Sequence, residues 1–413
     1  MATLHPFRAL RPTPSTAAEV AAVPYDVVST DEARALAGTH PLSFLRVSRA
    51  ELELPPATDP YSAAVYERAA RNFAALRKEA LVVEDEPAVY FYRLRLGDHT
   101  QTGLAACFSL DEYDRDIIKK HERTRRDKED DRTRHMVALG AQTGPVFLTY
   151  RASSLVHDLA TRVTAGAPLL DFEASAPKDG VRHTLWRVTG ADRDALVAAF
   201  ARIPTLYIAD GHHRAASAGR ARQEMRKGGV AATSLGDGAG ADTVLAVAFP
   251  HDEVRILPYN RTVKDLGGLT PEAFMSAVRE RFNVTAGPAV PARQGEIAMY
   301  FDKAWQTITS RARPDESDPI AALDVSVLQS ELLAPILKIV DVRTDKRIDF
   351  VGGIRGTDAL ADAVDSGRAA VAFSLYPVSL SDLMAVSDAG GIMPPKSTWF
   401  EPKLRDGLLI HVI

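Results

Sequence analysis

Five consecutive residues, Asp210, Gly211, His212, His213 and Arg214, put an acid, two imidazoles and a guanidinium where an apolar run, LYIA at 206–209, gives way to a helical pattern, AASAG. A strand that ends in Gly and turns into a helix presents backbone N–H groups with no intrahelical acceptor, which makes an anion site. Adjacent histidines on a helix point about 100° apart, so they are a poor chelating pair but reach different parts of one ligand. Arg214 adds a planar fork matched to phosphate oxygens. Asp210 has two readings: an N-cap for the helix, or a ligand for Mg²⁺ beside a bound phosphate. The sequence contains no G-x-x-x-x-G-K-[ST], so the junction is not a Walker-type loop.

A second cluster lies upstream. DRDIIKKHERTRRDKEDDRTRH at 114–135 holds nine Lys or Arg and seven Asp or Glu, with Ile117 and Ile118 its only apolar residues. Read as one helix, it places His121, Arg125, Lys128, Arg132 and His135 on a single face, at offsets 0, 4, 7, 11 and 14. A cationic stripe without an acid calls for a negative partner, a phosphate-bearing ligand or an acidic surface; a solvated face with pairs such as Arg125 and Glu129 is the plainer alternative. Glu122 stands one position off the stripe, where a carboxylate can act as general base beside a bound anion.

The elements that must position these groups are legible as alternating short strands and amphipathic helices. Strands are expected at AVYFYRLRL (88–96), TGPVFLTY (143–150), RHTLWRV (182–188) and DTVLAVAF (242–249). A helix is expected in PYSAAVYERAARNFAALRKEA, opened by Asp59-Pro60, and another in STDEARALA, with Asp26 of PYDVVS as its cap. The class is therefore α/β or mixed α+β. The Gly- and Ala-rich stretch 226–242 reads as a linker, and 312–324 as a surface loop.

At 413 residues, 46% of them hydrophobic, the chain can bury two or three compact cores. Its net charge of −4 provides no global attraction to nucleic acid or anionic membrane, so any anion site must be local. A single cysteine, Cys107, excludes an intramolecular disulfide and makes the cytoplasm the default location. No apolar leader and no run of about 18 apolar residues is present.

Over nearly its whole length the sequence resembles a bacterial and archaeal family known as a numbered domain of unknown function, placed with the ParB and sulfiredoxin-like superfamily. The segments that carry the resemblance are AAVPYDVVS, QTGLAACFSL, IIKKHERTRRDKEDDR, QTGPVFLTY, RHTLWRV, LYIADGHHRAASA, RTDKRIDFVGGIRG and MPPKSTWFEPKLRDGL. It is also similar to free L-serine kinases of that superfamily, which carry an HE pair whose glutamate is the base, a DGHHR-like phosphate motif and a late PK-[ST]-T segment near the substrate. Here these occur in the same order as His121-Glu122, Asp210 to Arg214, and Pro395-Lys396-Ser397-Thr398. Against those kinases this chain has about 100 further N-terminal residues, a long insertion between HE and DGHHR, and WFE after Thr398.

The resemblance implies a ParB/sulfiredoxin-like core at 101–235, with an N-terminal extension at 1–100 and a C-terminal α/β domain at 236–413 that closes the site. It implies Glu122, with His121, as the catalytic group and Asp210, Gly211, His212, His213 and Arg214 as the donor cradle. Lys119, Lys120, Arg125 and Arg132 are further cationic candidates, Asp210 the Mg²⁺ ligand, and Lys396, Ser397 and Thr398 the substrate loop. The expected activity is phosphoryl transfer from pyrophosphate, ADP or ATP to L-serine or a similar hydroxyl compound. A homodimer is compatible with this reading, and neither nucleic acid nor membrane is an expected partner. The alternative is a ParB-like nucleotide- or DNA-binding regulatory module without catalysis; no helix-turn-helix pattern follows the linker. RTDKRIDFVGGIRG is read as a second anion-facing loop, with a surface turn as its alternative, and Trp186 and Trp399 as core or pocket wall.

Overall fold

The computed structural model describes residues 1–228, 240–312, 315 and 317–413. It is a mixed α/β protein whose chain divides into two units, Met1–Val254 together with Pro402–Ile413, and Arg255–Glu401.

The first unit is built on a nine-stranded sheet. Its strands are β1 (Leu4–His5), β2 (Val89–Leu96), β3 (His99–Ser109), β4 (Ile118–Lys119), β5 (Val146–Tyr150), β6 (Leu170–Glu173), β7 (Arg182–Val188), β8 (Leu206–Asp210) and β9 (Thr243–Pro250). The spatial order is β4-β8-β5-β9-β3-β2-β7-β6, with β1 alongside β3. The pairs β4/β8 and β5/β9 are parallel and the others antiparallel. The central strands are apolar on both faces, as in VFLTY and TVLAVAF, because both faces of the sheet are covered. One large apolar cluster runs from Phe91 and Leu104 through Val146 and Leu148 to Ile208.

Four helices carry or adjoin the candidate residues: α1 (Thr30–Gly38), α2 (Ala63–Glu79), α3 (Arg126–Leu139) and α4 (His212–Gly228). α2 buries Val65, Tyr66, Ala69, Phe73 and Leu76, a spacing that keeps one helical face inward. α3 packs against both α2 and α4. α1 is capped by Ser29, whose hydroxyl accepts from the Glu32 N–H while the Glu32 carboxylate accepts from the Ser29 N–H. The cap expected at Asp26 is thus supplied by Ser29, three residues on, where reciprocal bonding satisfies two orphan donors.

The division of the chain differs from the one anticipated at 100 and 235. Leu4–His5 and Val89–Leu96 pair directly with β3, so the first 100 residues contribute to the central sheet and do not form an appendage. Thr243–Pro250 sits between β5 and β3 in the same sheet. The anticipated linker at 226–242 lies mostly outside the described residues.

The second unit holds a six-stranded antiparallel sheet made of β10 (Tyr259–Val263), β11 (Phe282–Ala286), β12 (Ile297–Phe301), β13 (Ala304–Ser310), β14 (Ile348–Gly352) and β15 (Val371–Leu375). Its order is β11-β13-β12-β15-β10-β14. The two ends of this unit lie side by side: Ile256 and Leu257 pair with Phe400 and Trp399, and the Glu401 N–H donates to the Arg255 carbonyl at 3.2 Å. Among the described residues no helix is long and apolar enough to cross a membrane.

Candidate functional site

The junction after β8 has the geometry its sequence suggests. Gly211 takes φ +95°, a left-handed conformation that L side chains rarely adopt, and the helix α4 starts at His212. The Arg214 guanidinium folds back over Gly211; a Cβ there would lie 3.0 Å from Arg214 Nε. Arg214 spans two acceptors, donating to the Pro145 carbonyl and, at 3.4 Å, to Asp210 Oδ2.

Lys403 Nζ reaches the same Asp210 oxygen at 3.2 Å. Burial pushes the Asp210 carboxyl up, but Lys403 and Arg214 more than reverse this and hold it well below the usual carboxylate range. The Asp210 carboxylate is thus gripped by two cations. The resemblance put Mg²⁺ on this residue. The arrangement does not fit a metal, since Oδ2 is already shared by Lys403 and Arg214, and among the described residues no group of three or more His, Cys, Asp or Glu is disposed to hold an ion.

The charged segment upstream is not one helix. Ile118 and Lys119 form β4, paired with Leu206 and Tyr207 of β8, because Ile118 is needed in the core, where it is 1% exposed. Residues 120–125 are a loop, and α3 begins only at Arg126. The five-residue stripe therefore does not exist, and its members have separate local partners.

Arg125 pairs with Asp127 at 2.8 Å, and Lys128 donates to the Tyr61 hydroxyl at 2.9 Å. Arg132 pairs with Asp131 at 2.7 Å and stacks 4.1 Å over the Tyr25 ring, while the buried His135 is 3.0 Å from the Val47 carbonyl. Lys120 is drawn to Asp116 at 2.6 Å and to the Tyr113 carbonyl at 2.8 Å. Lys119 is half-buried on β4. Glu129, the expected partner of Arg125, bonds instead with Arg220 at 3.2 Å and with Thr124.

What the structure does bring together is the 120–125 loop and the start of α4. The His121 N–H donates to His212 Nε2 at 3.4 Å, and the Arg125 N–H donates to His213 Nε2 at 3.0 Å. Glu122, between them, is 37% exposed, with Oε2 4.0 Å from His212 Nδ1. The His121 and His212 rings meet edge to face, with centroids 4.4 Å apart. His121 itself is 2% exposed; burial lowers its pKa to about 4, against the opposing pull of the Ile208 carbonyl that its ring bonds. His121, expected beside Glu122 in the catalytic group, is thus buried with its ring against that of His212. Burial, then the neighbouring His121, likewise keeps His212 neutral, well below the ordinary histidine value.

Three groups escaped the sequence reading. Lys403 lies in the signature MPPKSTWFEPKLRDGL, yet its contact with Asp210 spans 193 residues and no local pattern announces it. Asp406, three residues on, is buried with Oδ1 unpartnered; burial raises its carboxyl to about 7, helped by Asp26 and opposed by Arg214 and Arg132. Asp26 and Asp406 in turn act electrostatically on Arg214. Asp406 is held there by backbone pairing with Ala22, N to O at 2.9 Å.

Lys396, Ser397 and Thr398 belong to the second unit. The Ser397 hydroxyl donates to the Pro394 carbonyl at 2.6 Å, Lys396 takes φ +58°, and the buried Arg261 donates to the Lys396 carbonyl at 3.0 Å. Arg261, also unforeseen, fixes this loop through carbonyls alone, and burial depresses its guanidinium to about 9. The RTDKRIDFVGGIRG segment is occupied internally: Arg343 pairs with Asp341, and Arg347 with Asp345. Its double glycine answers to packing, since a Cβ on Gly352 would lie 2.6 Å from the Trp399 ring. The anion-facing reading of this loop is therefore replaced by the turn leading into β14.

A family model described as "Protein of unknown function (DUF1015)" matches residues 4–326. Among curated proteins none matches the sequence. Solved structures with a distant likeness include a free serine kinase in complex with AMP, at 15% identity and TM-score 0.38, covering 75% of this chain and 92% of that one. A conserved hypothetical protein from Pyrococcus furiosus is 14% identical, with TM-score 0.36 and coverage of 75% and 95%. SbnI with a C-terminal truncation, from Staphylococcus aureus, is 11% identical, with TM-score 0.38 and coverage of 75% and 87%.

Proposed function

The chain belongs to the DUF1015 family, and we propose that it is a phosphotransferase that moves a phosphoryl group from a compact donor to the hydroxyl of a small molecule, L-serine or a similar alcohol. The observation that carries this reading is the position of Glu122. Its part-exposed carboxylate is held between two loop residues whose N–H groups bond to the first two residues of α4, the helix that also carries Arg214.

Phosphoryl transfer asks little covalent chemistry of the protein, needing a positioned base and fixed positive charge. Glu122 accepts the hydroxyl proton as the new O–P bond forms. The bond between phosphorus and its leaving oxygen breaks, releasing phosphate from pyrophosphate, AMP from ADP, or ADP from ATP. Lys403, Arg214 and the N–H groups at the start of α4 supply positive charge that is in place before the reaction, so no reorganisation is needed as negative charge moves to the leaving group. Lys119 is a further cationic candidate for the donor, and the part of the loop 396–398 in binding the acceptor rests on the resemblance alone.

The test is to incubate the pure protein with L-serine and each of pyrophosphate, ADP and ATP, with and without Mg²⁺, and to follow O-phosphoserine by phosphorus NMR. Donor-dependent formation of the phosphomonoester supports the reading. Donor binding without any turnover, over a panel of small hydroxylated acceptors, would instead support the regulatory binding module.

A further inference from the structure

The Asp-Gly-His-His-Arg motif invites the view that both histidines are cations lying on the donor phosphates. The hydrogen bonds say otherwise. A backbone N–H can only donate, so a ring nitrogen that faces one must be bare. His212 Nε2 faces the N–H of His121 at 3.4 Å, and His213 Nε2 faces the N–H of Arg125 at 3.0 Å. Each neutral ring must then carry its proton on Nδ1, and a doubly protonated ring would set N–H against N–H.

The two contacts also account for the doubling of the histidine. Consecutive helical residues diverge by about 100°, which lets one helix start hold two backbone positions that lie on either side of a third. Those positions are 121 and 125, and the residue between them with a carboxylate is Glu122. His212 Nδ1, the nitrogen left with the proton, is the atom 4.0 Å from Glu122 Oε2, so the same ring that holds the loop also turns an N–H toward the acid.

We propose that His212 and His213 are positioning residues: paired hydrogen-bond acceptors, each in the Nδ1–H form, that clamp the 120–125 loop onto α4 and so fix the Glu122 carboxylate. The part of this that concerns catalysis rests on the assignment of Glu122 as the base; the tautomers and the clamp do not. The positive charge at the site then belongs to Arg214 and Lys403, and the histidines act through Glu122.

The decisive measurement uses the unsubstituted full chain, labelled on the imidazole and amide nitrogens, at neutral pH. Nitrogen–nitrogen coupling across the hydrogen bond from the Arg125 amide to His213 Nε2, with both rings protonated at Nδ1, is the expected result. Protonation at Nε2 of His213, or no coupling, overturns the proposal whether or not the protein is a kinase. If O-phosphoserine forms, His213→Leu is expected to lower kcat about 100-fold, the usual effect of a misplaced catalytic group, with KM and Kd for ADP and pyrophosphate within about 3-fold. His213→Gln, whose amide oxygen can accept at the Nε2 position, should recover kcat to within about 10-fold. A variant that instead loses affinity for pyrophosphate at unchanged kcat would make the histidines anion ligands and end the clamp. Turnover absent in every variant, with the coupling present, would remove the kinase reading and leave the clamp standing.

Discussion

A single carboxylate oxygen, Asp210 Oδ2, receives both Lys403 and Arg214, so the charge balance of the site turns on one acid. Asp210→Asn removes the carboxylate that Lys403 and Arg214 share and is expected to cost about 1–3 kcal/mol, read as a lower midpoint in urea unfolding. Glu122 sits apart from that pair. If it is the base, Glu122→Gln should lower kcat at least about 100-fold while the Kd for ADP changes less than about 3-fold. Asp406 gives a pH signature. Its folded-state pKa near 7 lies above the ordinary aspartate value, so between the two the folded chain binds more protons than the unfolded one, and this residue costs stability as pH rises through the interval. Asp406→Asn is therefore expected to raise Tm at pH 8 and to leave it nearly unchanged at pH 4; a smaller gain at pH 8 than at pH 4 would contradict the assignment.

At the scale of elements, the turn between β8 and α4 is the part that tolerates least. Gly211→Ala would have to hold a Cβ at φ +95° and against the Arg214 guanidinium, and a loss of about 1–3 kcal/mol is expected in chemical unfolding. The strand at 243–250 was legible as a continuous apolar run, the pattern that burial on both faces imposes, and those at 89–96 and 182–188 as short runs in which large apolar residues are interleaved with polar ones. The segment 114–135 was not. Its charges recur at helical spacing, but Ile117 and Ile118 carry the stronger instruction, and pairing of Ile118 with Leu206 is a tertiary event that no window of the sequence contains. The DGHHR junction was legible as an anion-friendly turn; that its histidines accept from residues 121 and 125 depends on contacts 91 and 88 positions apart. Lys403 was hidden for the same reason, at still greater separation.

For the molecule as a whole, the chain leaves the first unit at Val254 and rejoins it at Pro402. The second unit closes on itself where 256–257 pair with 399–400, the geometry an inserted domain requires. Residues 255–401 produced alone are expected to unfold as one cooperative transition with dispersed amide resonances; a collapsed species without a transition would contradict this. The placement of Lys403 and Asp406 after that insertion has a consequence in time. Domains emerge from synthesis and fold in order, at about 5–20 residues per second. A nascent chain that has already formed Asp210, Arg214 and the Glu122 loop waits through the whole of 255–401 before the lysine that completes the charge balance exists. A nascent chain shorter than 403 residues therefore lacks the lysine that pairs with Asp210, and the candidate site stays incomplete until the second unit has been made.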